Sequence, residues 1–145
     1  MGSYLGIDFG RKRIGVAGSD ENGRIAFPLC VIQNAGGQPV IKEISRIAAE
    51  RKAEKIIVGL PLNLDGSKGL AVGDVEQFAS RLKTRVALPV EFWDERLSTK
   101  IAERAMIDGG LSRRRRRQSI DRVAAQIMLQ SYLDAHGNEK CSVIS

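Results

Sequence analysis

The hydrophobic period first changes near residue 39, and that change constrains the fold more than any other feature. Before it, apolar residues alternate. Leu5, Ile7 and Phe9 interleave with Tyr4, Gly6 and Asp8, so a first strand carries Gly6 and Asp8 on one face. Gly10-Arg11-Lys12-Arg13 reads as a turn into a second strand, Ile14 to Ser19. Asp20-Glu21-Asn22-Gly23 is a turn signal, and a third strand follows from Ile25 to Gln33. Three consecutive strands joined by short turns predict an antiparallel meander.

After residue 39 the spacing is helical. Val40, Ile41, Ile44, Ile47 and Ala48 recur on one face, with Pro39 suited to the first turn. Ile56-Ile57-Val58 predicts a compact buried strand, and a loop from Asn63 to Gly69 holds an Asp65-Gly66 turn. A second helix carries Val75, Phe78, Ala79 and Leu82, and a fifth strand spans Val90 to Trp93. Ser98 is placed to cap a third helix that Gly109-Gly110 stops, and a last helix runs from about Ser119 to Ala135. Meander first and strand–helix alternation afterwards predict an α/β fold. Its mixed five-stranded sheet combines a three-strand antiparallel meander with two parallel strands, flanked by helices. The 145 residues suit one domain over 1–135, with a polar tail at 136–145.

Charge is unevenly placed. The formal net charge is +6, yet Arg113, Arg114, Arg115, Arg116 and Arg117 are consecutive; the remaining 18 basic residues nearly balance 17 acids. A local cationic patch is the footprint of a polyanion partner, here nucleic acid, whereas a solvated loop would leave five like charges uncompensated. No apolar stretch is long enough to span a bilayer, so no membrane partner is expected. Cys30 and Cys141 fit no metal motif. Cys30 reads as a buried small hydrophobe, and the absence of an export signal points to a cytoplasmic protein with reduced thiols.

Four acids stand in or beside apolar elements: Asp8, the pair Asp94-Glu95, and Asp121. A carboxylate there is costly unless it is paired or binds a cation. For Asp8 the structural alternative is a buried aspartate satisfied by backbone or by Arg11 or Arg13. For Asp121 it is a first-turn acid that favours the helix dipole. Ala124 and Ala125, one turn on, leave room beside its carboxylate, on a helix expected to pack through Ile120, Val123, Ala124 and Ile127. Adjacent strand residues point to opposite faces, so only one of Asp94 and Glu95 joins Asp8. Glu95 has the longer reach and Asp94 then supports or caps; the reverse assignment stays open. Carboxylates without a His/Cys set select magnesium or manganese, and three can bridge two ions about 3.5–4 Å apart, as in phosphodiester hydrolysis. Arg11, Lys12, Arg13 and Arg96 are the nearest cations by sequence for substrate phosphates. His136 falls in the tail, and Trp93 reads as core.

These segments resemble the YqgF family of RNase H-like proteins, pre-16S rRNA nucleases also described as Holliday-junction-resolvase-like. The matching stretches are Gly6-Ile7-Asp8-Phe9-Gly10, Arg13-Ile14-Gly15-Val16-Ala17 with Ser19-Asp20, Val58-Gly59-Leu60-Pro61, and Asp65-Gly66. Asp94-Glu95-Arg96-Leu97-Ser98-Thr99 and Ile120-Asp121-Arg122-Val123-Ala124-Ala125 with Leu129-Gln130 complete the set. The resemblance implies an RNase H-like fold and a magnesium-dependent nuclease trimming the 5′ end of the small-subunit rRNA precursor. It places Asp8, Glu95 (or Asp94) and Asp121 on the family's acidic positions. True junction resolvases of this group carry a second acid three residues after the first on the last helix, where this chain has Ala124. Cleavage of branched DNA therefore stands as an alternative, and a non-catalytic nucleic-acid-binding protein as another. Asp8-Phe9-Gly10 also resembles the first phosphate motif of actin-like sugar kinases, but those need two such domains. A monomer or weak homodimer is expected.

Overall fold

The computed structural model describes residues 3–60, 70–94 and 123–136. The elements are β1 (Ser3–Asp8), β2 (Arg13–Ser19), β3 (Ala26–Gln33), α1 (Gln38–Glu50), β4 (Ala53–Leu60), α2 (Leu70–Arg85) and β5 (Val90–Asp94). Residues 123–136 form a further helical segment. The five strands lie in the order β3-β2-β1-β4-β5. β1, β2 and β3 pair antiparallel, while β4 pairs parallel to β1 and β5 parallel to β4. The mixed sheet expected from the change of period is the one observed.

Strand alternation divides the side chains between two cores. Leu5, Ile7, Ile14, Val16, Ile56 and Val58 face α1 and α2. Ala17, Ala26 and Ile57 face the other way, against Ala125, Met128, Leu129, Tyr132 and Leu133 of the helical segment. The sheet is thus the middle of three layers. α1 buries Val40, Ile41, Ile44, Ile47 and Ala48, the predicted stripe, and has proline in its first turn. It ends where the Arg51 N–H donates to Ile47 O at 3.0 Å. Lys52 follows at φ 53 and turns the chain into β4.

Several bounds differ from the sequence reading. β4 is longer than Ile56–Val58 because its first residues, polar in part, pair with β1 through Tyr4 and Lys55. β1 stops at Asp8 because Gly10 enters a turn so tight that a Cβ there would lie 2.4 Å from Arg13 O. The Asn34 side chain closes this turn by donating to Gly10 O at 2.8 Å. Cys30 is half-buried rather than buried, since β3 is an edge strand with β2 as its one neighbour in the sheet. No helix among the described residues is long and apolar enough to cross a membrane.

Candidate active site

Asp8 is the last residue of β1 and is half-buried. Its neighbours turn to the α1/α2 face. Ile7 is in that core, and the Phe9 ring lies 4.7 Å from the Phe78 ring of α2. Alternation therefore puts Asp8, with Gly6 and Tyr4, on the face covered by helical residues 123–136. Helix and strand approach closely at Gly6: a Cβ added there would come within 2.9 Å of Leu129 Cβ. Tyr4, two residues earlier, meets the Tyr132 ring edge-on at 6.2 Å. The pairs Tyr4/Tyr132 and Gly6/Leu129 fix a direction. The helical segment runs antiparallel to β1, and its N-terminal end lies toward Asp8.

The buried stripe of this helix is Ala124, Ala125, Met128, Leu129, Tyr132 and Leu133. That corrects in part the inward face expected from the sequence: Ala124 is buried as expected, and Ile120 lies outside the described residues. Val123 and Ile127 are only half-buried, because the large side chains that meet the sheet lie further along the helix. Side-chain hydrogen bonds hold the helix at both edges. Ala26 N donates to Gln130 Oε1 at 2.8 Å, and Gln126 Nε2 donates to Ala26 O at 3.1 Å, on β3. On the other edge the Tyr132 hydroxyl donates to Glu91 at 2.9 Å and accepts from Lys55 Nζ at 3.0 Å. Lys55 and Glu91 are themselves 3.1 Å apart.

This Lys55–Tyr132–Glu91 network is absent from the sequence reading. Its members come from β4, β5 and the helix, and only the parallel register brings them together. Burial pushes the Glu91 carboxyl up, but hydrogen bonds from Lys55 and Tyr132 outweigh it and hold the group below its ordinary range. The hydrogen bond to Tyr132 raises the Lys55 ammonium, against its desolvation. His136 was expected in a polar tail. Instead it is helical, stacks on the Tyr132 ring at 4.0 Å, and has Nδ1 2.9 Å from Tyr132 O, one helical turn back.

Trp93 lies on the same face, packed against the helix, with its Nε1 donating to Ser131 Oγ at 3.2 Å. Phe92 faces the opposite core. Asp94, exposed and paired across the ladder with Leu60, therefore has the α1/α2 parity and not that of Asp8. Arg11 and Lys12 are exposed in the turn after Asp8, and Arg11 bonds Asp74 of α2 at 3.2 Å. Arg13 has the parity of Gly15, which pairs with Asp8, and so belongs to the Asp8 face. Glu95, Arg96, Arg113, Arg114, Arg115, Arg116, Arg117 and Asp121 lie outside the described residues. Among the described residues, no three His, Cys, Asp or Glu side chains group as a metal site.

The chain matches the family model described as "RuvX: Holliday junction resolvase" over residues 2–135. A relative from Syntrophomonas wolfei, named "Putative pre-16S rRNA nuclease", is 42% identical over 90% of this chain and 92% of its own length. A second relative of that name, from Rhodobacter capsulatus, is 43% identical over 92% of this chain and 84% of its own. Among solved structures, T. thermophilus RuvC in complex with a Holliday junction substrate superposes with a TM-score of 0.58 at 15% identity. It covers 94% of this chain and 96% of RuvC, a likeness of fold. The chain belongs to the RuvX family of nucleases, with an RNase H-like fold.

Proposed function

We propose that this RuvX-family chain is a cytoplasmic, metal-dependent nuclease acting in 5′-end processing of pre-16S rRNA. Asp8, Glu95 and Asp121 are proposed to hold a divalent cation, magnesium or manganese. The observation that carries the reading is the antiparallel packing of helix 123–136 on the Asp8 face of β1, which aims the helix N-terminal end at Asp8. Asp121 precedes that end by two residues. In the sequence it stands four before Ala125, seven before Met128 and eleven before Tyr132, which is helical spacing from residues of the buried stripe. Asp94 has the parity of Phe92, opposite to that of Asp8, which is why Glu95 is proposed in its place.

An all-carboxylate donor set fits a hard divalent cation. When bound, such a cation activates a water and stabilises the leaving oxygen. The chain's own part is to position the acids: the Gly6–Leu129 contact sets how close helix and strand lie, and the Asn34–Gly10 bond anchors the turn after Asp8. Arg113, Arg114, Arg115, Arg116 and Arg117, with Arg13 and Arg96, are proposed to neutralise substrate phosphates.

A second reading, resolution of branched DNA, is favoured by the family's own description. Against it, position 124 is a buried alanine, so the second helical acid of junction resolvases is missing. Symmetric cutting of a junction also needs a two-fold dimer, whereas trimming a single strand does not. The test is cleavage of matched single-stranded RNA, duplex and four-way DNA junction with magnesium or manganese, by wild type and Asp8→Asn. Preferred RNA cleavage that disappears in Asp8→Asn is expected. Cleavage undiminished in that variant, in a nuclease-free preparation, would overturn the assignment; faster cutting of the junction would favour the second reading.

A further inference from the structure

The sheet face opposite Asp8 carries a basic groove between α1 and α2. A cavity of about 360 Å³ opens there, lined by Phe9 and Arg11, by the loop at 34–37, and by Asp74, Phe78 and Arg81 of α2. A second hollow of about 280 Å³ adjoins it through Gly37, Ile41 and Arg81, and adds Gln38, Thr84 and Arg85. Three arginines, Arg11, Arg81 and Arg85, thus line one continuous depression against a single carboxylate, Asp74. Arg11 bonds Asp74 at 3.2 Å with both side chains well exposed, a screened contact that a phosphate can replace at little cost. Among the described residues, no carboxylate pairs with Arg81 or Arg85. The first turn of α1, which ends at the groove, has no acidic residue to offset this charge.

Position adds to sign. Phe9 and Arg11 follow Asp8 directly in the turn, so the groove opens at the same end of the sheet as Asp8, on the other side of that edge. A polyanion crossing the edge meets Asp8 on one side and these arginines on the other. The lining is mixed, with the Phe9 and Phe78 rings packed against each other at a 38° tilt and occupied as core, so they are not a platform for bases. What remains for a ligand is guanidinium and polar side chains, which suit a phosphodiester backbone.

From this geometry we infer that the α1/α2 groove is a second contact for the nucleic-acid substrate, in which Arg11, Arg81 and Arg85 hold backbone phosphates outside the cleavage site. The inference rests on the nuclease reading for its ligand class and deepens it by adding a binding surface on the opposite face. Binding of a 5′-fluorescein-labelled, 20-nucleotide single-stranded RNA to the full chain is followed by anisotropy in EDTA at increasing KCl. The Arg81→Gln/Arg85→Gln double variant should bind roughly tenfold more weakly at low salt, with its log K against log salt slope flattened by about 1.4. Lys83→Gln, on α2 but outside the groove, should keep the wild-type slope. Asp74→Asn, which removes the one opposing charge, should tighten binding. A double variant that melts as wild type and keeps its slope overturns the inference, as does an equal loss per charge in Lys83→Gln. Wild type that binds this RNA with the groove dependence but cleaves nothing with magnesium or manganese removes the nuclease reading alone. Cleavage with an unchanged slope removes the groove alone.

Discussion

Gly6→Ala is the sharpest probe of how the site is assembled, because one added methyl meets the helix at its root. The new Cβ would lie 2.9 Å from Leu129 Cβ and 3.3 Å from Leu129 Cδ2. Rotation of the Leu129 side chain can relieve the second contact but not the first, since Cβ moves only with the helix backbone. Overpacking of this kind costs about 1–3 kcal/mol. Alanine in a strand recovers roughly 0.5–1 kcal/mol of the entropy that glycine loses. The net expectation is a loss of about 1–2 kcal/mol, or roughly 3–7 °C in Tm for a chain of this size. Leu129→Ala alone empties a fully buried site and should cost about 3–5 kcal/mol. In Gly6→Ala/Leu129→Ala the Cβ–Cβ approach remains while the rest of the side chain no longer resists a shift of the helix. The two losses should therefore sum to more than the double variant suffers, by about 1 kcal/mol. Urea and thermal unfolding of all four proteins by circular dichroism measures this. Additivity within about 0.5 kcal/mol would refute the claim that helix 123–136 and β1 are held at contact by this pair.

Three further outcomes follow from the same geometry. Tyr132→Phe removes the hydroxyl shared by Lys55 and Glu91 and should cost about 1–2 kcal/mol, read by denaturant midpoint; an unchanged midpoint would mean that the network holds nothing. Glu91 has a folded-state pKa below the ordinary carboxylate value, so its contribution is present above that value and lost as pH falls through the depressed one. The stability gap between wild type and Glu91→Gln should therefore be full near neutrality and close below about pH 4, and a gap that widens on acidification would contradict the sign. Replacing three of Arg113, Arg114, Arg115, Arg116 and Arg117 with glutamine should flatten the salt slope of RNA binding by about 0.7–0.9 per lost contact, with little change in Tm.

The strands and α1 were legible because each has one clear period and a turn signal at its end. Pro39 and the stripe Val40, Ile41, Ile44 and Ile47 gave the helix and its face without reference to the rest of the chain. Asp8 was legible as an anomaly, a carboxylate in an alternating apolar run, and alternation alone paired it with Gly6. The strand after α1 exceeds Ile56–Val58 because Glu54 and Lys55 look like loop residues until a parallel neighbour pairs with the strand. The inward face of helix 123–136 is legible only in part: Ile120, Val123, Ala124 and Ile127 resemble a stripe, yet of the described three only Ala124 is buried. The helix's phase is instead set by Tyr132 against Tyr4 and by Leu129 against Gly6, contacts more than 120 residues apart in sequence. Its anchoring network joins Lys55, Glu91 and Tyr132 across three segments, and no local pattern reports such a meeting.

Asp8, Glu95 and Asp121 are proposed to hold a divalent cation together. Calorimetric titration of Mn²⁺ into the metal-free chain tests it without a nucleic-acid substrate and without turnover. Binding by wild type that falls at least tenfold in each of Asp8→Asn, Glu95→Gln and Asp121→Asn is expected, with Asp94→Asn affected less than Glu95→Gln. Mn²⁺ bound as tightly by Asp8→Asn as by wild type would contradict the account.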